Sequence, residues 1–344
     1  MDKNLERYSR QIFFPGIGEE GQRKLLKSYA VVIGCGALGT VIASSLARAG
    51  VGRLKIVDRD FVEENNLQRQ ILFDEEDVRE NLPKAVAAQR KLEKINSHIQ
   101  IESLVTDVNP TNIESILEGA DLVMDGTDNF ETRYLINDAC VKHKIPWIYG
   151  ACVSSYGLSM TIIPYETPCL RCVLETAPPA GATPTCDTAG VIAPIVNVIA
   201  SIQVTEGLKI LTQNWKALRK EIVMVDIWEG SFTKVDISHS REAANCPTCK
   251  QGNFEFLEGK EGSYMTVLCG RDAVQISHKT PVQIQFESLA QKLQSLGEVS
   301  YNAYILKFKV NGFEMTLFPD GRSIIKGVKD PLVAKGLYAR YIGI

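Results

Sequence analysis

Neither sign of charge dominates this sequence. Its 38 Lys and Arg against 41 Asp and Glu leave a net charge of −3 and a pI near 5.9, so there is no electrostatic footprint for nucleic acid or an anionic membrane. The opening MDKNLERYSR lacks the apolar core of a secretory signal. A long unbroken apolar run is lacking too. The most apolar stretch, 191–211, is interrupted by Pro194, Asn197, Gln203 and Glu206, which is the pattern of a buried or subunit-facing helix and not of a membrane span. There is no internal repeat and no low-complexity tract. Nine cysteines, an odd number with no signal before them, argue against a disulfide framework and for a reducing, cytoplasmic setting where thiols serve metals or catalysis.

What is present is an ordinary globular composition, 45% apolar and 23% charged. A chain of 344 residues suits one large and one small domain. The densest charge run, DEEDVRE (74–80), reads as a solvated face. Strand-like segments at 29–34, 53–58, 99–105, 121–126 and 146–152 alternate with helix-like ones at 37–50, 83–96 and 130–143. That alternation predicts right-handed crossovers and a mainly parallel α/β sheet of Rossmann type. From 156 on, paired strands and one long helix read as antiparallel additions to the same sheet. The Gly- and charge-rich 249–263 reads as a linker. The expected division is a domain over 1–250 and a small α+β domain over 251–344, built of short strands around two helices, FESLAQKLQSLG and DPLVAKGLYARYI.

The first chemical signal is Gly34-x-Gly36-x-x-Gly39 after a β-branched run, with Asp58 about twenty residues on, the pattern of a dinucleotide-binding βαβ unit. Gly34 permits the turn, Gly36 lets backbone N–H groups approach a phosphate, Gly39 allows helix–strand packing, and Asp58 suits a ribose. A nicotinamide dehydrogenase could own all of these. The next segment argues otherwise. ENNLQRQ (64–70) puts Asn65, Asn66, Gln68 and Arg69 beyond the second strand, and Lys84 opens a helix. Two fixed cations there suit a polyphosphate, the bland alternative being surface ion pairs. Asp128, after the fourth strand, can hold Mg²⁺, while Thr127 or Asp128 as an N-cap is its plain reading.

Two CxxC pairs, Cys169–Cys172 and Cys246–Cys249, supply four soft ligands for one structural Zn²⁺ tying the end of the first domain to its middle; a redox pair is the competing reading. Cys186 lies in a Gly-, Pro- and Thr-rich stretch (181–191) that reads as an exposed loop, where a thiol can react. Cys35, Cys140, Cys152 and Cys269 lie in apolar segments and read as inert core.

Together these residues resemble the E1-like activating enzymes of the ThiF/MoeB group. The matching stretches are RYSRQ (7–11), GCGALG (34–39), DRD (58–60), NNLQRQ (65–70), PK (83–84), GTDN (126–129), the Cys pairs and TCDTAG (185–190). The resemblance implies ATP in place of NAD, with Gly34, Gly36, Gly39, Asp58, Asp60, Asn65, Asn66, Gln68, Arg69, Lys84, Asp128 and Asn129 around ATP and Mg²⁺. It implies catalytic roles for Arg10, Arg69, Lys84, Asp128 and Cys186, Arg10 reaching into a neighbouring subunit's site and Cys186 linking covalently to the carrier or a sulfur donor. The implied activity is adenylation of the C-terminal Gly-Gly of a small ubiquitin-like sulfur carrier protein, for thiamine or molybdopterin synthesis, by a homodimer supplied by a cysteine desulfurase or other persulfide donor. Two alternatives stay open: an NAD-dependent oxidoreductase, and an E1-like enzyme acting on a peptide or other carboxylate. Shorter members stop near the second Cys pair; nothing in 251–344 has the cysteine cradle of a rhodanese.

Overall fold

Strand and helix alternate through most of the chain in the computed structural model, which describes residues 3–176, 189–259, 265–268, 272–277 and 284–342. These fall into two units, one holding residues through 176 and from 190 to 259, the other residue 189 and those from 265 to 342.

In the first unit, eight strands form one sheet: β1 (Tyr29–Ile33), β2 (Arg53–Val57), β3 (Gln100–Leu104), β4 (Leu122–Asp125), β5 (Trp147–Val153), β6 (Tyr156–Ile162), β7 (Glu221–Asp226) and β8 (Ser231–Asp236). Their order is β3-β2-β1-β4-β5-β6-β7-β8. The first five are parallel neighbours, and β6 to β8 extend them antiparallel. The longer helices are α1 (Ala37–Ala49), α2 (Lys84–Ile95), α3 (Phe130–His143) and α4 (Ala193–Leu211).

Strand residues alternate between two cores. Ala30, Val32, Leu54, Ile56 and Met124 join the layer with α1, α2 and α4. Val31, Ile33, Val57, Val123 and Trp147 join the layer with α3. Because both faces are covered, the central strands are continuous apolar runs and not alternating ones. Each fully buried aliphatic side chain stabilises the fold by about 1.5–3 kcal/mol. α4 is long and apolar enough to cross a membrane, yet 56% of its most apolar window is buried here, against α1, β5 and β6. That is the buried helix expected of 191–211.

The order of β1 flanked by β2 and β4 makes a topological switch point, since the chain leaves β1 toward one side and returns on the other. Ligands of open α/β sheets bind in the crevice at the carboxyl ends of such strands. Gly34, Asp58 and Gly126 follow the last residues of β1, β2 and β4 and so share that edge.

Two sequence expectations are corrected. The described part of 249–263 is not a free linker: Phe256 stacks on Tyr134 of α3 at 4.9 Å between centroids, and Leu257 is buried. The 74–80 run is not merely a solvated face. It is a helical turn, Glu75–Arg79, capped reciprocally by Asp74 and Asp77, and both acids pair with Lys91 of α2.

The second unit is a six-stranded antiparallel sheet of β9 (Met265–Leu268), β10 (Ala273–Ile276), β11 (Glu298–Tyr301), β12 (Leu306–Val310), β13 (Phe313–Leu317) and β14 (Ser323–Lys326). The order is β11-β12-β13-β14-β10-β9. Phe286, Ala290 and Leu293 of α5 (Phe286–Leu293) and Tyr338 of α6 (Pro331–Tyr341) share its core. The β12–β13 turn is Asn311–Gly312, both at positive φ, the residues that a tight two-residue hairpin demands.

Candidate active site

The site begins where three backbones touch. Gly34 adopts φ +87°, and a Cβ there would stand 2.6 Å from the Gly126 carbonyl oxygen. A Cβ on Gly39 would stand 1.9 Å from the Gly34 carbonyl oxygen, and one on Gly126 2.5 Å from that same atom. Gly34 and Gly39 are therefore glycine because the fold requires it. Gly36 differs: the nearest atom to its missing Cβ is Gln70 Nε2, 3.9 Å away. It precedes α1 and supplies no side-chain cap, so the first amides of a helix open directly onto the crevice, an arrangement suited to an anion.

Asp58 closes the loop from the β2 side. Its carboxylate accepts the Cys35 N–H at 2.5 Å and the Asp60 N–H at 2.7 Å. Burial pushes its pKa up, and the Lys84 ammonium pulls it down. Lys84, buried at the start of α2, pairs its Nζ with Asp60 at 3.3 Å. Arg59, which the sequence reading did not single out, pairs with Asp107 at 2.6 Å and approaches Asp60 at 3.7 Å. Burial disfavours its cation, but Asp107, Asp60 and Asp128 outweigh that and raise its pKa.

The 64–70 turn lies beyond β2. Asn66 is buried, its Oδ1 accepting the Glu63 N–H in a capping box and its Nδ2 donating to Asn65. Asn65 and Gln68 are exposed. Arg69 is not at a helix N-terminus; it follows the short Glu64–Asn66 helix and donates to the Asn65 carbonyl at 2.8 Å.

At the β4 edge, Asp125 is fully buried and accepts from Thr127 N–H (2.9 Å), Thr127 Oγ1 (2.7 Å) and Arg133 Nε (3.3 Å). Burial raises its pKa, with Arg133 opposing. Arg133 also donates to the carbonyls of Thr127 (2.7 Å) and Gly150 (3.2 Å). The clamp fixes the loop that presents Asp128 to solvent. The N-cap of α3 is Asn129, whose side chain accepts the Thr132 N–H at 2.9 Å, and not Thr127 or Asp128 as the sequence allowed. Asp128 is thereby left exposed and uncommitted to capping.

Arg10 does not join this group within the chain. Its neighbour Gln11 hydrogen-bonds the Ala49 carbonyl at 3.0 Å, at the far end of α1, a helix of 13 residues and so about 20 Å long. Arg10 is exposed beside the exposed Phe13 and Phe14. Cys186 and Cys269 lie outside the described residues. Cys35 and Cys140 are buried, and burial raises both thiols; Cys152 is half-buried.

The four paired cysteines converge. Their Sγ atoms all lie within 4.8 Å of one another, with separations of 3.4 Å (Cys172–Cys249), 3.5 Å (Cys169–Cys246) and 3.8 Å (Cys169–Cys172). Such a set can hold one metal ion. Hydrogen bonds from the Cys169 and Cys172 thiols pull Cys249 down to about 7. Two buried α3 residues brace the set: Asn137 accepts the Leu170 N–H at 2.9 Å, and Asp138 accepts from Thr248 Oγ1 and the Phe256 N–H, each at 2.9 Å. Burial pushes Asp138 up to about 6. Neither residue carried a motif in the sequence.

The ThiF family pattern matches residues 8–248. The chain belongs to the ThiF family. Over 338 residues it is 45% identical to the sulfur carrier protein ThiS adenylyltransferase of Bacillus subtilis (strain 168), covering 98% of this chain and 99% of that one. It is also 37% identical over 254 residues to the SAMP-activating enzyme E1 of Haloferax volcanii, covering 74% and 92%. Among solved structures, E. coli MccB with ATP superposes with a TM-score of 0.60 at 23% identity, covering 72% of this ThiF-family chain and 75% of that one; at that identity the likeness concerns the fold.

Proposed function

We propose that this chain uses ATP to adenylate the C-terminal carboxylate of a small ubiquitin-like sulfur carrier protein, releasing pyrophosphate and leaving an acyl-adenylate for thiocarboxylate formation. The observation that carries this reading is its 45% identity, nearly end to end, with a protein named a sulfur carrier protein ThiS adenylyltransferase. Because that likeness includes residues beyond 250, the thiamine-type carrier is the substrate we favour. The adenylation domain is residues 1–250, with the segment to 259 docked on it, and 251–344 is an accessory part.

The chemistry follows from charge. A carrier carboxylate is ionised near neutral pH and needs no general base. It attacks the α-phosphorus, and the bond to the β,γ-pyrophosphate oxygen breaks. The enzyme must then position two anions and neutralise the charge that develops between them. The open amides at Gly36 and the cations Arg69 and Lys84 suit the phosphates. Asp58 suits the ribose, with Asp60, Asn65, Asn66, Gln68 and Asn129 around it. Asp128, free of capping, is placed to hold Mg²⁺, which would supply charge neutralisation on the phosphates. Arg10 would enter the site of a second copy, and the exposed Phe13 and Phe14 beside it give that copy an apolar surface to cover.

The Cys₄ set fits a structural zinc. Sulfurs about 2.3 Å from a central Zn²⁺ form a tetrahedron with edges of about 3.8 Å, and the Sγ–Sγ separations of 3.4–3.8 Å approach this. Having four protein ligands, such a site leaves no position open for chemistry.

Carrier-dependent ATP–pyrophosphate exchange, run in parallel with thiamine-type and molybdopterin-type carriers, tests the function. Exchange should appear with at least one carrier and vanish in Asp128→Ala and Arg69→Ala; exchange that persists in both variants refutes the mechanism.

A further inference from the structure

Gln70 closes the 64–70 turn, its backbone N–H donating to the Asn66 carbonyl at 2.9 Å. The residue is 4% exposed. Its Oε1 is sealed from solvent and accepts no hydrogen bond among the described residues. Its Nε2 is the atom nearest to where a Cβ on Gly36 would stand, 3.9 Å away. The amide thus lies over the glycine of the loop whose missing Cβ would meet nothing closer than this, at the uncapped N-terminus of a 13-residue helix.

We propose that the Gln70 carboxamide contacts the nucleotide directly, its Nε2 donating to the phosphate next to the ribose across Gly36. Phosphate oxygens only accept hydrogen bonds, and the end of the amide turned toward Gly36 is the donor end. A buried carbonyl oxygen without a partner is unfavourable, and a free glutamine would turn to satisfy it. In the structure the donor end lies nearest Gly36 before any ligand arrives. The arrangement complements Arg69 and Lys84. They supply charge, whereas a neutral planar amide supplies direction, and its bond strengthens as negative charge grows on that phosphate during attack. The assignment rests on the ATP reading of this site.

Gln70→Met keeps the length and the apolar packing but removes the donor; Gln70→Glu places an anion at the same point. Gln70→Met should lower kcat/KM for ATP in carrier-dependent exchange about 10- to 100-fold, the range for a hydrogen bond to a charged group. Part of that loss should fall on kcat, and the melting temperature should stay within about 2 °C. Gln70→Glu should be worse than Gln70→Met, an order that a merely structural role would not give. Equilibrium binding of ATP without carrier should weaken in both variants. Gln70→Met within twofold of wild type in exchange and in binding overturns the inference, and so does a Gln70→Glu that restores wild-type values. Should the wild type exchange with no carrier yet bind ATP more tightly than Gln70→Met, the inference stands and the proposed substrate falls. If the wild type does not bind ATP, both fall.

Discussion

Substituting alanine at Gly36 and at Gly39 should separate what the glycine loop does for the fold from what it does for a ligand. At Gly39 the new Cβ would sit 1.9 Å from the Gly34 carbonyl oxygen, a backbone atom that cannot turn aside. Relief requires the N-terminus of α1 to lift off β1 by more than an ångström, which also disturbs the Gly34–Gly126 contact. Overpacking commonly destabilises by about 1–3 kcal/mol, and this backbone collision belongs at the top of that range. For a unit of this size each kcal/mol moves the melting temperature by about 2–4 °C, so Gly39→Ala should melt about 6–12 °C below wild type. At Gly36 the backbone φ is −86°, and the closest atom to a Cβ is 3.9 Å away. With no atom for the new methyl group to strike, Gly36→Ala should be destabilised far less than Gly39→Ala. Yet the methyl group would stand where the amides of α1 meet a phosphate, and ATP–pyrophosphate exchange should fall by at least about 100-fold, roughly the loss of one well-placed phosphate contact or more. Scanning calorimetry and the exchange assay on the same preparations decide it. Gly36→Ala that exchanges normally, or that melts as low as Gly39→Ala, refutes the reasoning.

Purified protein should contain about one zinc per chain by elemental analysis, the stoichiometry of a closed four-thiolate site; Cys172→Ser or chelation should lower its melting temperature. Mixing Arg10→Ala with Asp128→Ala, each inactive alone, should restore about a quarter of wild-type exchange, because half of randomly paired dimers carry one intact site of two; no recovery after subunit exchange excludes action in trans. Asp138, at about 6 in the folded state against 3.8 for its ordinary value, binds its proton more tightly when folded, so its contribution is fully present below pH 4 and is lost as pH rises to 6. The difference corresponds to about 3 kcal/mol, and Asp138→Asn should flatten that part of the urea-unfolding profile against pH.

Much of the first unit was legible because its signals are local. The β-branched runs, Gly50 at the left-handed C-cap of α1 and the helix over 130–143 all reflect short-range preferences that tertiary packing reinforces. What was not legible depends on partners distant in sequence. Gly126 is glycine because Gly34 and Gly39 press against it. Arg133 matters because it clamps Asp125, the Thr127 carbonyl of the loop and the Gly150 carbonyl of β5, and no spacing rule announces that. Phe256 and Leu257 lie in a stretch whose glycines and charges resemble a linker, but Tyr134 and Asp138 of α3 hold them. In the second unit β11 is hard to read from the sequence because EVSY offers one half-buried residue, Val299, at a sheet edge where alternation is weak. The candidate site residues were named by motif, but the motif did not distinguish Asn66 and Asn129, engaged in capping, from the exposed Asp128.

Helix α3 links the sheet edge to the cysteine set. Its first turn carries Arg133, which holds the loop presenting Asp128, and one turn further on Asn137 and Asp138 hold the backbone around both cysteine pairs. Residues 133 and 137 are four apart and so lie on one face, about 6 Å along the axis. Both groups are buried, and a buried polar side chain left without its partner is destabilising by about 1–3 kcal/mol, more when charged. Neither end of the arrangement can therefore shift alone without exposing an unpaired group at the other. A metal bound by the four paired cysteines would act on the reaction through this rod, by fixing the register of α3 against the sheet. Under the proposed mechanism such an ion would have a structural part only: it would help to keep the acid at the sheet edge in place while two negatively charged substrates are brought together.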